Sequence, residues 1–565
     1  MKPDTVHAAF QRSAAAQPQA PFLFVESVTA AGYGIPAGTL SYGDAAAQIE
    51  SLRSRYAAAG YGPGHRVGLM LANRPAFFCH WFALNALGAS VVPISTEMRS
   101  AEWSYLIGHS EMCLAICLPG REAELEAAAR EGAREHGAAA SRFVAIAEPA
   151  ARGPGILPAA PDTQANGLAG LTAGLDAAGE AAVSRARECA LLYTSGTTGR
   201  PKGCQLSNDY FLRCGDWYTG VGGLCEVRTG RERVITPLPL SHMNAMAVSA
   251  MMAVRSGGCI VQLDRFHPAS WWQSVRESGA TIAHYLGVMP AMLLAAPASP
   301  QDREHQLRFG FGAGVDPANH EVFEQRFGFP LLEAWAMTET GSAATVIANR
   351  EPRHVGAKCF GRPEDFVQIS LVDEAGAPVA QGQPGELLVR SAGAEPRRHF
   401  FSGYLKDPAA TASAWEGGWF HTGDVVRQDG QGYLYFVDRR KNVIRRSGEN
   451  IAAVEVESVL NLHPAVRASA VAATPDAVRG DEVLACIVTH EPVAPDARAS
   501  LAADIVAHAL ARLAYYKAPG WVAFVDALPL TSSQKIQRGA LKEMASSLPS
   551  QANCVDTRKL KKRTT

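Results

Sequence analysis

An apolar stretch near the N-terminus, VGLMLANRPAFFCHWFALNALGASVVPI, is the feature that most constrains the fold. It reads as a buried strand from Val67 to Leu71, a loop with Asn73, an amphipathic helix and a second apolar strand from Ser90 to Ile94. Two strands joined by a helix form a βαβ unit, in which the strands lie parallel in a sheet that helices cover. The stretch therefore predicts an α/β domain with a doubly wound, mostly parallel sheet.

The pattern of apolar and polar residues divides the rest of the chain into segments. GCIVQLD, TIAHYLGVMP and LRFGFGAGV predict further buried strands and hence a second doubly wound sheet. After Arg353, apolar and polar residues alternate around Gly/Pro turns, which predicts antiparallel hairpins in a small β-barrel-like subdomain. After Arg439, patterns typical of helices and of strands both occur, which predicts a small α+β C-terminal domain. The predicted boundaries are 1–437 for the large N-terminal domain, with its β-rich part at about 353–437, 438–442 for a hinge, 443–545 for the C-terminal domain and 546–565 for a flexible tail.

Length, charge and cysteine usage exclude several classes of protein. A chain of 565 residues is too long for one core, and its net charge of −1 gives no sign of nucleic acid as a partner. The longest apolar run, Ala245 to Val254, is too short to span a bilayer, and the N-terminus lacks the apolar core of a secretory signal. Eleven scattered cysteines without metal-ligand spacing are typical of reduced, mostly buried thiols in a cytoplasmic protein.

The stretch YTSGTTGRPKG, residues 193–203, has almost no apolar side chain to bury. Its glycines would let backbone N–H groups approach an anion, its Ser and Thr hydroxyls are donors, and Lys202 adds a positive charge. The spacing of its glycines excludes a Walker A loop. By composition alone, a flexible linker and a phosphate-binding loop remain two open alternatives.

Together with other stretches, YTSGTTGRPKG resembles the signature of the adenylate-forming superfamily, which comprises acyl-CoA synthetases, peptide-synthetase adenylation domains and beetle luciferases. Six further stretches match that superfamily in the same order along nearly the whole chain: PLSH (239–242), GAGV (312–315), WAMTETG (335–341), FHTGDVV (420–426), YFVDRRKNVIRRSGENI (435–451) and LTSSQKIQRGAL (530–541). HQLRF and RRSGENIAAVEVE are most similar to bacterial acyl-CoA synthetases, among them carnitine/crotonobetaine:CoA ligases.

The resemblance implies an ATP site. Asp424 would accept hydrogen bonds from both ribose hydroxyls, and Arg439 would contact ribose or phosphate. Trp335 stands where tyrosine is usual, and its indole can still stack on adenine. The residues implied for the β- and γ-phosphates are Thr194, Ser195, Gly196, Thr197, Thr198, Gly199 and Lys202.

The resemblance also implies the catalytic groups. Thr338 would bind the α-phosphate, and Glu339 would ligate Mg²⁺, which usually takes one or two protein carboxylates besides phosphate oxygens. Lys535 would bridge the substrate carboxylate and the α-phosphate while charge shifts between them. Lys441 would be the hinge about which a mobile C-terminal domain turns between half-reactions. The residues expected on the CoA side are Arg445, Ser447, Gly448 and Glu449.

The acyl pocket implied by the same resemblance is apolar, and no charged side chain stands out to recognise an ammonium group. His242 is either a gate beside the substrate carboxylate or an ordinary core histidine. The methyl group of Ala336, where glycine is usual, would narrow the pocket. The expected lining is His242, Met243, Ala245, Gly287, Val288, Met289, Gly312, Ala313, Gly314, Trp335, Ala336 and Met337.

These features predict a cytoplasmic acid:CoA ligase that uses ATP, Mg²⁺ and CoA, acts on a small-molecule carboxylic acid, and releases AMP and pyrophosphate. It is expected to bind no nucleic acid and to have no membrane span, and whether it forms a homodimer is left open. A free-standing adenylation enzyme that loads a carrier protein is the enzymatic alternative. A non-catalytic nucleotide-binding regulator is the alternative from another class, and an oxidative, luciferase-like role is remote.

Overall fold

The computed structural model describes residues 4–136, 143–153, 157–161, 184–194, 200–439, 443–529 and 536–562. The chain divides into two compact units. The first comprises residues 1–96, 106–192 and 203–438, and the second comprises residues 97–105, 193–202 and 439–565. One boundary, between Asp438 and Arg439, falls within the stretch expected to be the hinge, 438–442.

The strands alternate with helices through most of the chain. In chain order they are β1 (Pro21–Val25), β2 (Gly38–Ser41), β3 (Arg66–Met70), β4 (Ser90–Pro93), β5 (Leu114–Cys117), β6 (Val144–Ala147), β7 (Glu188–Thr194), β8 (Lys202–Ser207), β9 (Arg233–Thr236), β10 (Cys259–Gln262), β11 (Ile282–Leu286), β12 (Phe309–Ala313), β13 (Leu331–Trp335), β14 (Val346–Ile347), β15 (Cys359–Gly361), β16 (Val367–Val372), β17 (Pro384–Ser391), β18 (Gly403–Tyr404), β19 (Phe420–Gln428), β20 (Leu434–Arg439), β21 (Val443–Arg446), β22 (Glu449–Ala452), β23 (Val466–Asp476), β24 (Gly480–Thr489), β25 (Trp521–Phe524) and β26 (Cys554–Asp556).

The α-helices are α1 (Val6–Ala16), α2 (Ser27–Tyr33), α3 (Tyr42–Ala58), α4 (Pro75–Ala86), α5 (Ser100–Ser110), α6 (Glu122–His136), α7 (Glu148–Arg152), α8 (Asn208–Gly220), α9 (Ala250–Ser256), α10 (Trp271–Ser278), α11 (Val288–Leu294), α12 (Pro317–Phe327), α13 (Pro408–Ala414), α14 (Ala453–Leu460), α15 (Arg498–Leu510) and α16 (Arg538–Ser547). A π-helical turn, Asn244–Ser249, leads directly into α9.

Two mostly parallel sheets form the body of the first unit. One has the order β14-β13-β12-β11-β9-β10-β1-β2, with antiparallel strands at its two edges, and the other has the order β18-β8-β7-β4-β3-β5-β6. In the second sheet Val67 of β3 pairs with Val91 of β4 in parallel register, so the predicted βαβ unit is confirmed. The strands β15-β20-β19-β17-β16 form a third sheet, whose pairs β15–β20, β16–β17 and β17–β19 are antiparallel, in the part of the chain that was expected to be β-rich.

Helix α4 differs from its expected amphipathic character. Every residue from Phe77 to Asn85 is buried, because α4 packs against α1 and α3 within the main apolar core as well as against its own sheet. A helix that is apolar all round is suited to such an interior position. His80 is tolerated there because its Nδ1 lies 2.7 Å from the hydroxyl oxygen of Tyr56.

The second unit is built on the sheet β22-β21-β24-β25-β26, with β23 paired to β24. Alternate residues of β24 enter two apolar clusters: Val483 and Ala485 enter one, and Leu484 and Cys486 enter the other. Because side chains alternate across a strand, this sheet is covered on both faces. Helices α14 and α15 contribute to the first cluster and α16 to the second.

Within the described residues, the segment expected to be a flexible tail contains a strand, Cys554–Asp556, and an ion pair. Strand β26 pairs with β25, and Lys561 forms an ion pair with the buried carboxylate of Glu482. Arg446 hydrogen-bonds the same carboxylate, so two cations converge on one buried anion. The basic residues at this end are therefore partly structural rather than wholly solvated.

The cysteines agree with the expectation of mostly buried thiols. All eleven cysteines are free thiols, ten of them buried, and Cys554 is partly exposed. Among the helices of the described residues, none combines the length and the apolar character that a membrane crossing requires.

Candidate active site

The stretch WAMTETG forms a tight turn directly after β13. Thr340 Oγ1 accepts a hydrogen bond from the Met337 N–H (3.0 Å), and the Gly341 N–H donates to the Met337 carbonyl (2.9 Å). Gly341 has a φ of +49°, and a Cβ at this position would lie 2.4 Å from the ring of Tyr210. The Tyr210 hydroxyl also donates to the carbonyl of Thr338 (2.9 Å). These contacts fix the two predicted catalytic residues of the turn, Thr338 and Glu339, in one backbone conformation.

Glu339 is a buried carboxylate, 7% exposed, that has a specific neutral donor. The hydroxyl of Tyr404 donates to Glu339 Oε1 (2.9 Å), and the Phe401 N–H donates to the Glu339 carbonyl (2.9 Å). Burial, and then the nearby Glu339 carboxylate, raises the pKa of Tyr404, so the hydroxyl keeps its proton and remains a donor. Tyr404 lies in β18, which pairs with β8, the strand that returns from the predicted phosphate-binding loop.

The donor set around Glu339 fits Mg²⁺. Among the described residues, no Lys or Arg forms an ion pair with this carboxylate, although a buried anion is stable only when a cation or several donors compensate it. The described residues also contain no cluster of three or more His, Cys, Asp or Glu side chains able to hold a metal ion. One protein carboxylate is the arrangement expected when phosphate oxygens and water complete the coordination of Mg²⁺.

The motif FHTGDVV lies in strand β19. The pairing of β19 with β17 is irregular between Glu386 and Leu388, and Gly423 in this bulge has a φ of +71°. The Gly423 N–H donates to Glu386 Oε1 (3.0 Å), and the Asp424 N–H donates to Thr422 Oγ1 (3.0 Å). A bulge re-aims side chains locally, and this one places Asp424 opposite the end of β13.

Trp335 and Asp424 are joined by a buried hydrogen bond. The indole Nε1–H donates to Asp424 Oδ2 (2.9 Å), and the two side chains are 6% and 1% exposed. The indole ring therefore orients the carboxylate predicted to bind ribose, a contact that the sequence did not indicate. The ring also packs beside Phe360, with 6.3 Å between the ring centroids.

The GAGV loop after β12 is held by an acidic residue that the sequence analysis missed. Glu333 Oε2 accepts a hydrogen bond from the Gly314 N–H (2.9 Å), and its Oε1 accepts from the Val315 N–H (3.0 Å). Burial raises the pKa of Glu333, and the two backbone donors act in the opposite direction. The available signal was a lone glutamate inside the apolar strand LLEAW.

The loop before His242 is anchored by Asn73, the polar residue of the first βαβ unit. Asn73 Nδ2 donates to the carbonyls of Leu238 (3.2 Å) and Leu263 (2.8 Å), and its Oδ1 accepts from the Leu240 N–H (3.0 Å). His242 itself is half-buried, and its N–H donates to the Pro239 carbonyl (3.0 Å). The two mostly parallel sheets thus both contribute to the position of the PLSH motif.

The predicted pocket residues fall into two packing groups. Met243 and Met337 pack against the main core, whereas Val288 and Met289 pack into a separate cluster with Tyr285. Gly287 and Gly314 approach so closely that a Cβ at 287 would lie 1.7 Å from the Gly314 carbonyl oxygen. Ala245, Gly312 and Trp335 are buried, Ala313 and Ala336 are half-buried, and Gly314 is exposed.

A buried polar network that the sequence analysis did not identify lies beside this region. His284 Nε2 lies 3.0 Å from the Tyr218 hydroxyl, and His284 Nδ1 lies 2.7 Å from both Asn244 Oδ1 and Ser249 Oγ. Burial lowers the pKa of His284 to about 3, so its imidazole is neutral at physiological pH. The signal was a histidine inside the apolar strand IAHYL.

Several predicted site residues lie outside the described residues. Thr194 ends β7 and Lys202 begins β8, and these strands are neighbours in one sheet. Arg439 is the last residue of β20. The remaining predicted phosphate-binding residues, the predicted hinge residue and the predicted catalytic lysine are not described: Ser195, Gly196, Thr197, Thr198, Gly199, Lys441 and Lys535.

The segment expected on the CoA side forms a hairpin in the second unit. Ser447 and Gly448 connect β21 to β22 with φ angles of +49° and +88°. Two successive positive φ angles are typical of the turns that match the twist of a hairpin. Arg445 pairs with Asn450 across the hairpin, next to the outermost pair of Arg446 and Glu449.

Comparisons with known proteins place these features in context. The family model described as AMP-binding enzyme matches residues 10–405, and the model of the AMP-binding enzyme C-terminal domain matches residues 455–535. The crotonobetaine/carnitine–CoA ligase of Salmonella typhi is 30% identical over 505 residues, which cover 89% of this chain and 93% of that protein. The structure of o-succinylbenzoate CoA synthetase from Bacillus subtilis, a double mutant, has a TM-score of 0.75 at 23% identity and covers 95% of this chain and 98% of its own. An amide bond synthetase from Marinactinospora thermotolerans has a TM-score of 0.73 at 24% identity, with 95% and 99% covered.

Proposed function

Because the chain belongs to the AMP-binding enzyme family, we propose that it is an acid:CoA ligase, which activates a carboxylic acid with ATP and transfers the acyl group to CoA. In the first half-reaction a carboxylate oxygen attacks the α-phosphorus of ATP, an acyl-adenylate forms and pyrophosphate leaves. In the second, the thiol of CoA attacks the acyl carbon and AMP leaves. The relative with 30% identity is a CoA ligase, and the match covers 93% of its length. This similarity favours CoA as the acceptor.

The arrangement of Glu339 and Asp424 is the observation that carries this proposal. Both carboxylates are buried, and each accepts a hydrogen bond from a neutral aromatic donor: Glu339 from Tyr404 and Asp424 from Trp335. In our proposal Asp424 binds the ribose hydroxyls, and Glu339 holds Mg²⁺, which neutralises charge on the phosphates. Among the described residues no Lys or Arg pairs with Glu339, whereas a merely structural buried carboxylate would be expected to face one.

Other residues have supporting roles in the proposal. Thr338, fixed by the turn that Tyr210 and Gly341 hold, donates to the α-phosphate. The loop that continues from Thr194 to Lys202 binds the departing pyrophosphate. Lys535 stabilises the charge that develops between carboxylate and α-phosphate, and preorganised charge of this kind is worth on the order of 10²–10³ in rate. Lys441 is the hinge that exchanges Lys535 for the hairpin residues Arg445, Ser447, Gly448 and Glu449.

The test is pyrophosphate release across a broad panel of carboxylic acids, with and without CoA. We expect acid-dependent release in the presence of Mg·ATP and an acyl-CoA product when CoA is added. Acid-dependent release that never yields acyl-CoA would favour the carrier-loading alternative. If no acid of the panel gives release while ATP still binds, the ligase proposal is wrong and a nucleotide-binding regulator is favoured.

A further inference from the structure

We propose that Asn244 selects acids that carry a hydrogen-bond acceptor, such as a keto, ether or amide oxygen, on their acyl chain. The inference rests on the proposed ligase function and deepens it, because it names a class of acid. It also revises the expectation of a wholly apolar acyl pocket. Its basis is the network of His284, Tyr218 and Ser249, which fixes the orientation of the Asn244 amide.

Asn244 lies in sequence between Met243 and Ala245, two residues of the predicted acyl pocket. It follows His242 by two residues and begins the π-helical turn, in which the Ala250 N–H bonds the Ala245 carbonyl, five residues earlier. Single π-helical turns are rare and occur frequently at functional sites. Asn244 is half-buried, whereas Tyr218, Ser249 and His284 are fully buried.

His284, at the centre of the network, lies in β11 two residues before that strand ends. Side chains alternate along β11, so His284 and Leu286 share one face, and Leu286 pairs with Ala313 of β12. His284 pairs with Phe311, one step deeper in the sheet. Asn244 contacts His284, which lies two residues before Leu286 on the same face of β11.

The protons of the network can be assigned by accounting for its buried donors and acceptors. Ser249 Oγ–H donates to the Asn244 carbonyl (3.0 Å). If the neutral imidazole of His284 carries its proton on Nδ1, it donates to Asn244 Oδ1, and Nε2 accepts from the Tyr218 hydroxyl. Every buried polar group of the network is then satisfied, which is the rule in protein interiors.

The opposite orientation of the Asn244 amide leaves a buried donor unsatisfied. It would turn Nδ2 toward His284 Nδ1, which would then accept, and the imidazole proton would sit on Nε2 and donate to the Tyr218 oxygen. The hydroxyl proton of Tyr218 would have no acceptor among the described residues, and at 0% exposure it cannot reach bulk water. Leaving a buried donor without a partner is costly, so Asn244 keeps Oδ1 on His284.

The fixed amide therefore directs its Nδ2 hydrogens away from the network. No described residue accepts a hydrogen bond from Asn244 Nδ2. A half-buried amide donor at this position is satisfied by water or by a substrate oxygen. A site that is built to donate a hydrogen bond discriminates against analogues that lack the acceptor, because the donor then loses its water without gaining a partner.

The experiment compares kcat/KM for matched acids, with pyrophosphate release as the readout. Oxo, hydroxy and methoxy acids, with the oxygen placed at successive carbons, are compared with alkyl acids of equal length. The wild-type protein should prefer the best oxygen-bearing acid by about 10- to 100-fold. Asn244→Leu should reduce this preference to less than about threefold, whereas Gln325→Leu, which removes an exposed amide from α12, should keep it.

A second variant controls for misfolding. Asn244→Asp keeps one oxygen to accept from His284 and replaces the N–H donors by an anionic oxygen. It should reject oxo and methoxy acids, which only accept hydrogen bonds, and favour acids with a hydroxyl or ammonium donor on the chain. Equal kcat/KM for both members of every pair in the wild type, or an unchanged preference in Asn244→Leu and Asn244→Asp, overturns the inference and leaves the ligase function standing. Absence of release with every acid overturns the proposed function and this inference with it.

Discussion

The hydrogen bond between Tyr404 and Glu339 gives the sharpest test of the proposed magnesium site. Tyr404→Phe removes one hydroxyl and leaves the ring, which is buried against Phe401. The lost contact is a 2.9 Å hydrogen bond to the buried carboxylate that is proposed to hold Mg²⁺. Because the donor fixes the orientation of Glu339 before any metal binds, its loss should weaken metal binding more than it weakens folding.

The magnitude follows from the type of bond. A hydrogen bond to a charged group contributes about 1.5–3 kcal/mol, and each 1.36 kcal/mol corresponds to a factor of about ten. The expected loss of Mg²⁺ affinity in Tyr404→Phe is therefore about 10- to 150-fold. Removal of groups that orient a metal ligand typically costs about 10- to 100-fold in affinity or activity, which is the same range.

The assay measures initial rates of pyrophosphate release over a range of free Mg²⁺ concentrations at fixed ATP. Tyr404→Phe should raise the Mg²⁺ concentration for half-maximal rate by about 10- to 100-fold and leave the KM of the acid within about twofold. Tyr435→Phe is the matched control, since Tyr435 donates a similar hydrogen bond (2.7 Å) to a different carboxylate, Asp429. An unchanged Mg²⁺ dependence in Tyr404→Phe, or an equal shift in both variants, would refute the reasoning.

Three further predictions concern the nucleotide, the catalytic lysine and stability. Trp335→Phe removes the indole donor to Asp424 and should raise the KM of ATP about 10- to 100-fold, a larger effect than on the KM of the acid, whose pocket Trp335 is also expected to line; equal effects on both substrates would contradict the ribose role. Lys535→Ala should abolish adenylate formation but still convert preformed acyl-adenylate and CoA to acyl-CoA. Equal loss of both half-reactions would contradict the assignment of Lys535 to the first one. Burial alone would raise the pKa of Glu324, but hydrogen bonds from Arg353, His320 and a backbone N–H lower it to about 2. Because this is below the ordinary value, Glu324 should stabilise the fold above pH 4.5 and lose that contribution as the pH falls toward 2, so chemical denaturation should show a flatter acid dependence for Glu324→Gln than for the wild type.

The fold could be predicted where local patterns decide it. The strands of the first βαβ unit are short, continuous apolar runs, and their pairing at Val67 and Val91 follows from burial on both faces. The tail was predicted wrongly for the opposite reason. Lys561 is ordered by Glu482, 79 residues earlier in the chain, and no local property of a basic segment reveals such a partner.

The candidate site divides in the same way. Thr338, Glu339 and Asp424 could be proposed as site residues because their motifs are contiguous in sequence. Their orienting partners could not, because Tyr404 is 65 residues from Glu339 and Trp335 is 89 residues from Asp424. Partners so far apart in sequence are brought together by the topology of the sheets. For Tyr404 this is the pairing of β18 with β8, which exists only in the folded chain.

Because ten of its cysteines are buried, the reactivity of these thiols can report local unfolding of this protein. Burial raises the pKa of Cys79 to about 11 and of Cys189 to about 12 in the first unit, and of Cys486 to about 12 in the second. The thiolate is the form that attacks thiol reagents, so at neutral pH both the bound proton and the surrounding packing protect these positions. Labelling followed by peptide mapping would therefore time the local unfolding of each unit separately, with partly exposed Cys554 as the internal reference for the folded state.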